Sequence, residues 1–175
     1  TNRYASGVIH FLYCLESTTT GGDSILVDGF SAAHEFRRRD PDGFSLLTST
    51  PLPFRFQDQS TDIQSKAPII AIDLEGNILQ VRYNHSLLAP LDVQSELVET
   101  IYAAYRAFTL IIRDPEFQVK FRLEPGDMMA FNNLRVMHGR SLFNPQSGRR
   151  HLQGCYIDIE DFQSRLNVLE RQRTS

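Results

Sequence analysis

Long hydrophobic runs are missing from this sequence of 175 residues. No apolar stretch approaches the roughly 18 residues that a membrane-spanning helix needs, and the N-terminus lacks the basic and apolar regions of a signal peptide. An excess of positive charge is missing too, because the formal net charge is -3 at pH 7. We therefore expect a soluble, cytoplasmic protein without a membrane or nucleic-acid partner.

Cysteine is scarce, and the motifs of several enzyme classes are absent. The two cysteines, Cys14 and Cys155, show no CxxC spacing, so we expect two buried thiols rather than a zinc knuckle or a redox motif. The TGGDS stretch has neither a GxGxxG nor a GK[ST] pattern, and the chain has no GxSxG elbow. None of the five histidines is followed two residues later by Asp or Glu, so the chain contains no HxD or HxE pair.

The residues that are present favour a mainly β fold with a few helices. Apolar positions three and four residues apart predict one long amphipathic helix over about residues 93–112, and a polar helix with Leu166 and Leu169 follows at the C-terminus. Ser31 is expected to cap a short helix that Pro41 ends. Runs rich in β-branched and aromatic residues predict strands in GVIHFLYCLE, SILVDGF, LPFRFQ, APIIAID, NILQVRYN, FQVKFRL, MMAFNN and RHLQGCYID.

These elements do not alternate regularly between strand and helix, which argues against a doubly wound fold. They predict a jelly-roll β-sandwich with helices packed outside it. The LEGN sequence predicts a hairpin turn between APIIAID and NILQVRYN.

Three kinds of side chain near the C-terminus suit metal and anion chemistry. His138 follows a β-like run, and imidazole is a good ligand for Fe(II), although a lone histidine is more often structural. Arg149 and Arg150 offer planar forks that bind carboxylates, or else form ordinary surface ion pairs. Tyr156 offers an aromatic wall for a cationic substrate, or else belongs to the core. The residues alone leave these alternatives open.

Three stretches together resemble one enzyme family: TTTGGDSILVDGF, EPGDMMAFNNLRVMHGR and RRHLQGCYIDIEDFQSRLNVL. They resemble the TauD-like Fe(II)- and 2-oxoglutarate-dependent dioxygenases, in particular the γ-butyrobetaine and trimethyllysine hydroxylase branch. The resemblance covers essentially the whole chain and implies a double-stranded β-helix core. It also implies an enzyme that uses Fe(II) and 2-oxoglutarate to hydroxylate a small betaine-type substrate, as in carnitine biosynthesis, while 2-oxoglutarate is decarboxylated to succinate.

The resemblance assigns iron and 2-oxoglutarate to particular residues. His138, the first residue of HGR, matches the distal histidine of the 2-His-1-carboxylate triad. Arg150 matches the arginine that binds the distal carboxylate of 2-oxoglutarate, and Arg149 is the fallback if the alignment slips by one residue. Ser24 matches the hydroxyl that reaches the other end of 2-oxoglutarate, and Leu12 matches a position that lines the pocket.

The substrate is assigned through Tyr156, which matches one ring of the aromatic cage around a trimethylammonium group. This cage favours a quaternary amine over taurine-like sulfonates. No catalytic acid, base or nucleophile is assigned, and a homodimer is left open.

The sequence departs from the family pattern at its start. The family's HxD lies just before a segment similar to TNRY, with which this chain begins. We therefore expect residues 1–175 to be a single, N-terminally truncated catalytic domain that is inactive alone. The alternative is a non-catalytic module of the same fold that binds a small molecule or another protein.

Overall fold

The computed structural model of the chain describes residues 8–173. The TNRY stretch, on which the expected truncation depends, lies outside the described residues. The strands are β1 (Ile9–Ser17), β2 (Ser24–Asp28), β3 (Leu52–Gln57), β4 (Asp62–Ala67), β5 (Ile70–Ile72), β6 (Ile78–Val81), β7 (Gln118–Phe121), β8 (Met128–Asn132), β9 (Val136–Arg140) and β10 (Arg150–Ile157). The helices are α1 (Gly29–Arg39), α2 (Pro41–Ser49), α3 (Ser95–Arg113) and α4 (Ile159–Arg173).

The described chain divides into two compact units. Residues 25–120 and 134–139 form the first, which we call the core unit, and residues 8–24, 121–133 and 140–173 form the second, the sheet unit. Each unit is therefore assembled from segments that are distant in sequence. In residues 8–173, no helix combines the length and the apolar character that crossing a membrane requires.

The core unit is built around the long helix α3. Its buried residues recur at helical spacing, among them Ile101, Tyr105, Phe108 and Ile112. The ring of Phe108 packs against that of Phe36 on α1, with 5.3 Å between the centroids. The predicted helix over residues 93–112 is confirmed, with ends that differ by one or two residues.

The short helices α1 and α2 begin differently from the prediction. Asp28, not Ser31, caps α1, because its carboxylate accepts the backbone N–H groups of Phe30 and Ser31. Pro41 does not merely end α1: it is the first residue of α2, where a missing N–H costs nothing and the ring fixes φ. Asp40 caps α2 by accepting the Gly43 N–H at 2.9 Å.

Two antiparallel hairpins and a third sheet complete the core unit. The predicted hairpin through LEGN is confirmed as β5–β6, whereas the β3–β4 hairpin contains a strand, β4, that the sequence analysis did not identify. The third sheet has the strand order β7-β2-β9. On β9 the side chain of Met137 packs against the hydrophobic core.

The sheet unit contains a three-stranded antiparallel sheet with the order β10-β1-β8. The central strand, β1, pairs Ile9 with Ile157 of β10 and with Asn132 of β8. Cys14 on β1 is buried as expected, but Cys155 on β10 is exposed. The expectation of two buried thiols was therefore wrong for Cys155, because alternation turns its side chain away from the face that carries the neighbouring Tyr156.

Candidate functional site

One face of the β10-β1-β8 sheet brings together three of the residues that the sequence analysis selected. Successive side chains of a strand point to opposite faces, so Arg150, Gly154 and Tyr156 share one face of β10. Gly154 lies opposite Leu12 of β1. A Cβ atom on Gly154 would lie 3.5 Å from Cδ2 of Leu12, which places Leu12 on that same face. We call it the site face.

Tyr156 lies at one end of the site face, against an aromatic cluster. Its ring stacks on that of His10, with 4.1 Å between centroids and an angle of 11° between planes. His10 in turn meets the edge of Phe131 at 5.0 Å. Tyr156 remains 55% exposed, so it is no ordinary core tyrosine. Partial burial raises the pKa of Tyr156 above that of a solvent-exposed tyrosine.

Arg150 lies at the other end of the site face and is partly buried. Desolvation lowers the pKa of Arg150, and the positive charges of Arg140 and Arg122 lower it further. Within residues 8–173, no carboxylate forms an ion pair with this guanidinium. Since a cation withdrawn from water is stabilised by a counter-charge, the position suits an anionic ligand. A carboxylate of 2-oxoglutarate therefore fits Arg150.

Arg149 has a different environment. Its side chain is 83% exposed and approaches Glu16, with 3.4 Å between Nε and Oε2. Its main chain is tied to Thr18, whose N–H donates to the Arg149 carbonyl at 2.8 Å. Arg149 precedes the first residue of β10 and its side chain lies near Glu16, whereas Arg150, the first residue of β10, is on the site face.

Ser24 lies at the start of β2, at the end of a glycine-containing loop. It is 3% exposed, and alternation places it on the face of β2 opposite to the core residue Val27. In the loop before it, Gly22 adopts φ +82°. A Cβ on Gly22 would lie 3.4 Å from both Cδ and Nε of Arg150, so the loop backbone runs close along the arginine side chain.

His138 lies in the middle of β9 rather than after a strand. Its neighbour Met137 packs into the hydrophobic core, so the imidazole projects from the opposite face of β9. The His138 side chain is exposed by area, yet surrounding protein atoms desolvate the ring and lower the pKa of His138, which favours the neutral form that binds metals.

A complete iron site is not formed by the described residues. In residues 8–173, no group of three or more His, Cys, Asp and Glu side chains could hold a metal ion. Of the 2-His-1-carboxylate set that the family resemblance implies, the sequence analysis assigned one member to these residues, His138.

Three residues around the site face were passed over in the sequence analysis. His10 supports the ring of Tyr156, and Arg140, which stacks on Phe143 at 4.0 Å, adds positive charge near Arg150. Arg122 binds the main chain of the glycine-containing loop. Alternation within FQVKFRL and HGR could have placed these arginines on a strand face, but no local signal indicates the partners of Arg122, which lie about a hundred residues earlier.

Comparison with known proteins identifies the family. The model of the "Taurine catabolism dioxygenase TauD, TfdA family" matches residues 5–156. The chain is 41% identical over 163 residues to a gamma-butyrobetaine dioxygenase of Pseudomonas sp. (strain AK-1), an alignment that covers 93% of the chain and 43% of the relative. It is 34% identical over 166 residues to a trimethyllysine dioxygenase of Meyerozyma guilliermondii, covering 92% of the chain and 41% of the relative. The chain thus spans less than half the length of these relatives.

Solved structures show the same fold. A putative alpha-ketoglutarate dependent 2,4-D dioxygenase from Burkholderia xenovorans superposes with a TM-score of 0.70 at 13% identity, over 90% of this chain and 64% of the other. A taurine dioxygenase from Burkholderia xenovorans gives 0.68 at 18% identity, over 90% and 54%. The predicted fold, a mainly β double-stranded β-helix with flanking helices, is confirmed. The resemblance found in the sequence is confirmed as well, and the chain belongs to the TauD/TfdA dioxygenase family.

Proposed function

We propose that the chain carries the C-terminal catalytic part of an Fe(II)- and 2-oxoglutarate-dependent dioxygenase that hydroxylates a small betaine-type substrate similar to γ-butyrobetaine. The single observation that carries this proposal is the site face, which bears at one end an arginine that has no counter-charge within residues 8–173 and at the other end an exposed tyrosine ring. The names of the relatives, gamma-butyrobetaine and trimethyllysine dioxygenase, support the betaine class. A trimethylammonium group is a cation that cannot donate hydrogen bonds, so ring faces are its natural partners.

Arg150 is the proposed anchor of 2-oxoglutarate. Its guanidinium would bind the distal carboxylate through two parallel charge-assisted hydrogen bonds, an arrangement that fixes both position and direction. Leu12, on the same face, would border the carbon chain of the cosubstrate. The Ser24 hydroxyl would donate to the other end of 2-oxoglutarate. Arg149 is disfavoured as the anchor, since it is exposed and already lies near Glu16.

His138 is the proposed iron ligand of this chain. A strand position gives the imidazole a fixed direction, and the lowered pKa of His138 keeps it neutral and ready to coordinate. Bound Fe(II) would supply the reaction with O2, in which 2-oxoglutarate is converted to succinate. One imidazole does not hold Fe(II) firmly, so the proposal includes further ligands outside the described residues and little activity of this chain alone.

Tyr156 is the proposed contact for the quaternary amine. Its stacking on His10 occupies one ring face, and the exposed fraction of the side chain leaves the other face available to a cation. We also propose a cytoplasmic location. The absence of nucleic-acid and membrane partners stays a prediction, and so does the homodimer.

The test of this function is ligand binding by the chain followed by turnover in a completed enzyme. We expect 2-oxoglutarate and γ-butyrobetaine to bind the chain in calorimetric titrations, and taurine, which lacks the quaternary amine, to bind more weakly than γ-butyrobetaine. A fusion that adds the HxD-containing region of a γ-butyrobetaine dioxygenase should form succinate when γ-butyrobetaine is supplied. The proposal would be contradicted if the chain bound taurine more tightly than γ-butyrobetaine. It would also be contradicted if the fusion formed succinate at the same rate with and without γ-butyrobetaine.

A further inference from the structure

Residues 17–23, which we call the ribbon, lead from β1 to β2 and form hydrogen bonds on two sides. One side pairs with residues 141–149. The donors of the ribbon are Thr18 N–H to the Arg149 carbonyl at 2.8 Å, Thr20 N–H to Ser147 Oγ at 2.8 Å, Gly22 N–H to the Leu142 carbonyl at 3.0 Å and Asp23 N–H to Ser141 Oγ at 2.9 Å.

The side chain of Arg122 lies on the other side of the ribbon. Its guanidinium donates to the carbonyls of Ser17 and Thr19 at 2.8 Å each and to that of Gly21 at 3.2 Å. Arg122 therefore supplies the donors for three backbone carbonyls of the ribbon. The carboxylate of Glu124 forms an ion pair with the guanidinium of Arg122, with 3.4 Å between Oε1 and Nε.

The contacts of Arg122 depend on the shape of arginine. A planar fork with five donors can reach three carbonyls spaced along one chain, whereas the single nitrogen of lysine cannot span them. Each carbonyl left without a donor in this partly buried place would lose a charge-assisted hydrogen bond. The ribbon would then be free to leave its position while the charge at residue 122 stayed the same.

The position of the ribbon matters because it lies against Arg150. Gly22 runs along the Arg150 side chain, and a side chain on Gly21 would collide with the Leu142 carbonyl, so the approach is close and uses glycine at both positions. We propose that Arg122 is a positioning residue for the cosubstrate: by fixing the ribbon it aims the Arg150 guanidinium at the distal carboxylate. This inference rests on the proposed role of Arg150.

The test separates geometry from charge with the variants Arg122→Lys and Arg122→Gln. The probe is glutarate, a dicarboxylate of the same chain length as 2-oxoglutarate without the 2-oxo group that would bind a metal, titrated into the full chain and followed by amide chemical shifts. We expect Arg122→Lys to weaken glutarate about tenfold, equivalent to ~1.4 kcal/mol. Hydrogen exchange should also become faster at the Thr18, Thr20 and Gly22 amides. The matched control Arg165→Lys, on exposed α4, should change neither.

A second ligand distinguishes positioning from general loss of structure. With Arg122→Lys, the affinity for γ-butyrobetaine should stay within about twofold of the wild-type value, because ring contacts at Tyr156 do not depend on the ribbon. Equal weakening of glutarate and the betaine would overturn the inference, as would a folded Arg122→Lys with unchanged glutarate affinity. If both Arg122 variants fail to fold, the exposed substitution Glu124→Gln provides the test, because it removes the ion pair with the Arg122 guanidinium. It should lower the affinity for glutarate about twofold. No change there would also overturn the inference.

The two proposals fail in different ways. If the wild-type chain does not bind glutarate, or if Arg150→Ala binds it as well as the wild type, the role of Arg150 is wrong and the inference about Arg122 falls with it. If Arg150→Ala abolishes glutarate binding while Arg122→Lys leaves it intact, the anchor stands and the positioning role alone is wrong.

Discussion

Replacing Arg150 by alanine removes the cation at one end of the site face without changing the sheet. Arg150 is partly buried and has no acidic partner within residues 8–173, so a bound carboxylate would be its counter-charge. Two charge-assisted hydrogen bonds in such a place contribute about 2 to 3 kcal/mol. The affinity for 2-oxoglutarate should therefore fall about 30- to 150-fold.

The informative comparison is with Arg149→Ala, because the two arginines are adjacent and differ in environment. Arg149 is highly exposed and near Glu16, and surface pairs of this kind contribute about 0 to 1 kcal/mol to stability. Its removal should change the affinity for 2-oxoglutarate less than about threefold. Titration of 2-oxoglutarate into both variants measures the difference. A large loss with Arg149→Ala and none with Arg150→Ala would refute the assignment, and loss with neither would refute an arginine anchor on β10.

Three further outcomes are expected. Tyr156→Ala should weaken γ-butyrobetaine by about 0.5 to 2 kcal/mol in calorimetric titrations and leave 2-oxoglutarate unchanged, since a ring face attracts a cation and gains little from a carboxylate. Calorimetry of the chain with Fe(II) or Mn(II) should show no submicromolar site, because the described residues provide His138 but no cluster of three ligands; a tight site would mean that ligands were missed. Asp28→Asn should lower the free energy of unfolding by about 0 to 1 kcal/mol at pH 7, because asparagine keeps the cap of α1 but loses the charge that pairs with Arg135 at 2.6 Å. The bond to Arg135 lowers the pKa of Asp28, so this contribution is present at neutral pH and is lost as the pH falls below about 4, and denaturant titrations of the two proteins should converge there.

Features with a strong local period were predictable from the sequence. The helix α3 follows from its apolar spacing, and the β5–β6 hairpin from the turn sequence between two apolar runs. The strand β4 was not predicted, because its sequence DIQSKA is mostly polar and it forms a strand through its pairing with β3. Pro41 was predicted to end a helix, because proline can either end a helix or occupy its first position. The cap at Asp40 shows that Pro41 is the first residue of α2.

The candidate site was predictable only where the family pattern covers it. That pattern selected Tyr156 and Arg150, with Arg149 as the fallback, because the order along the chain does not show which arginine shares a face with Tyr156. Strand register places Arg150 on that face, which supports its proposed role. The role of Arg122 could not be predicted, because its three carbonyl partners lie about a hundred residues earlier.

The strand order of the β10-β1-β8 sheet has a consequence for the synthesis of the protein. The central strand, β1, is made before both of its partners, β8 and β10, which come more than a hundred residues later. At about 5 to 20 residues per second, an apolar strand with two open edges waits on the order of 10 s for its first partner. The hairpins β3–β4 and β5–β6 pair locally in the meantime. Long-range pairing of this kind folds slowly, so β1 of the nascent chain needs protection from aggregation until β8 and β10 are made.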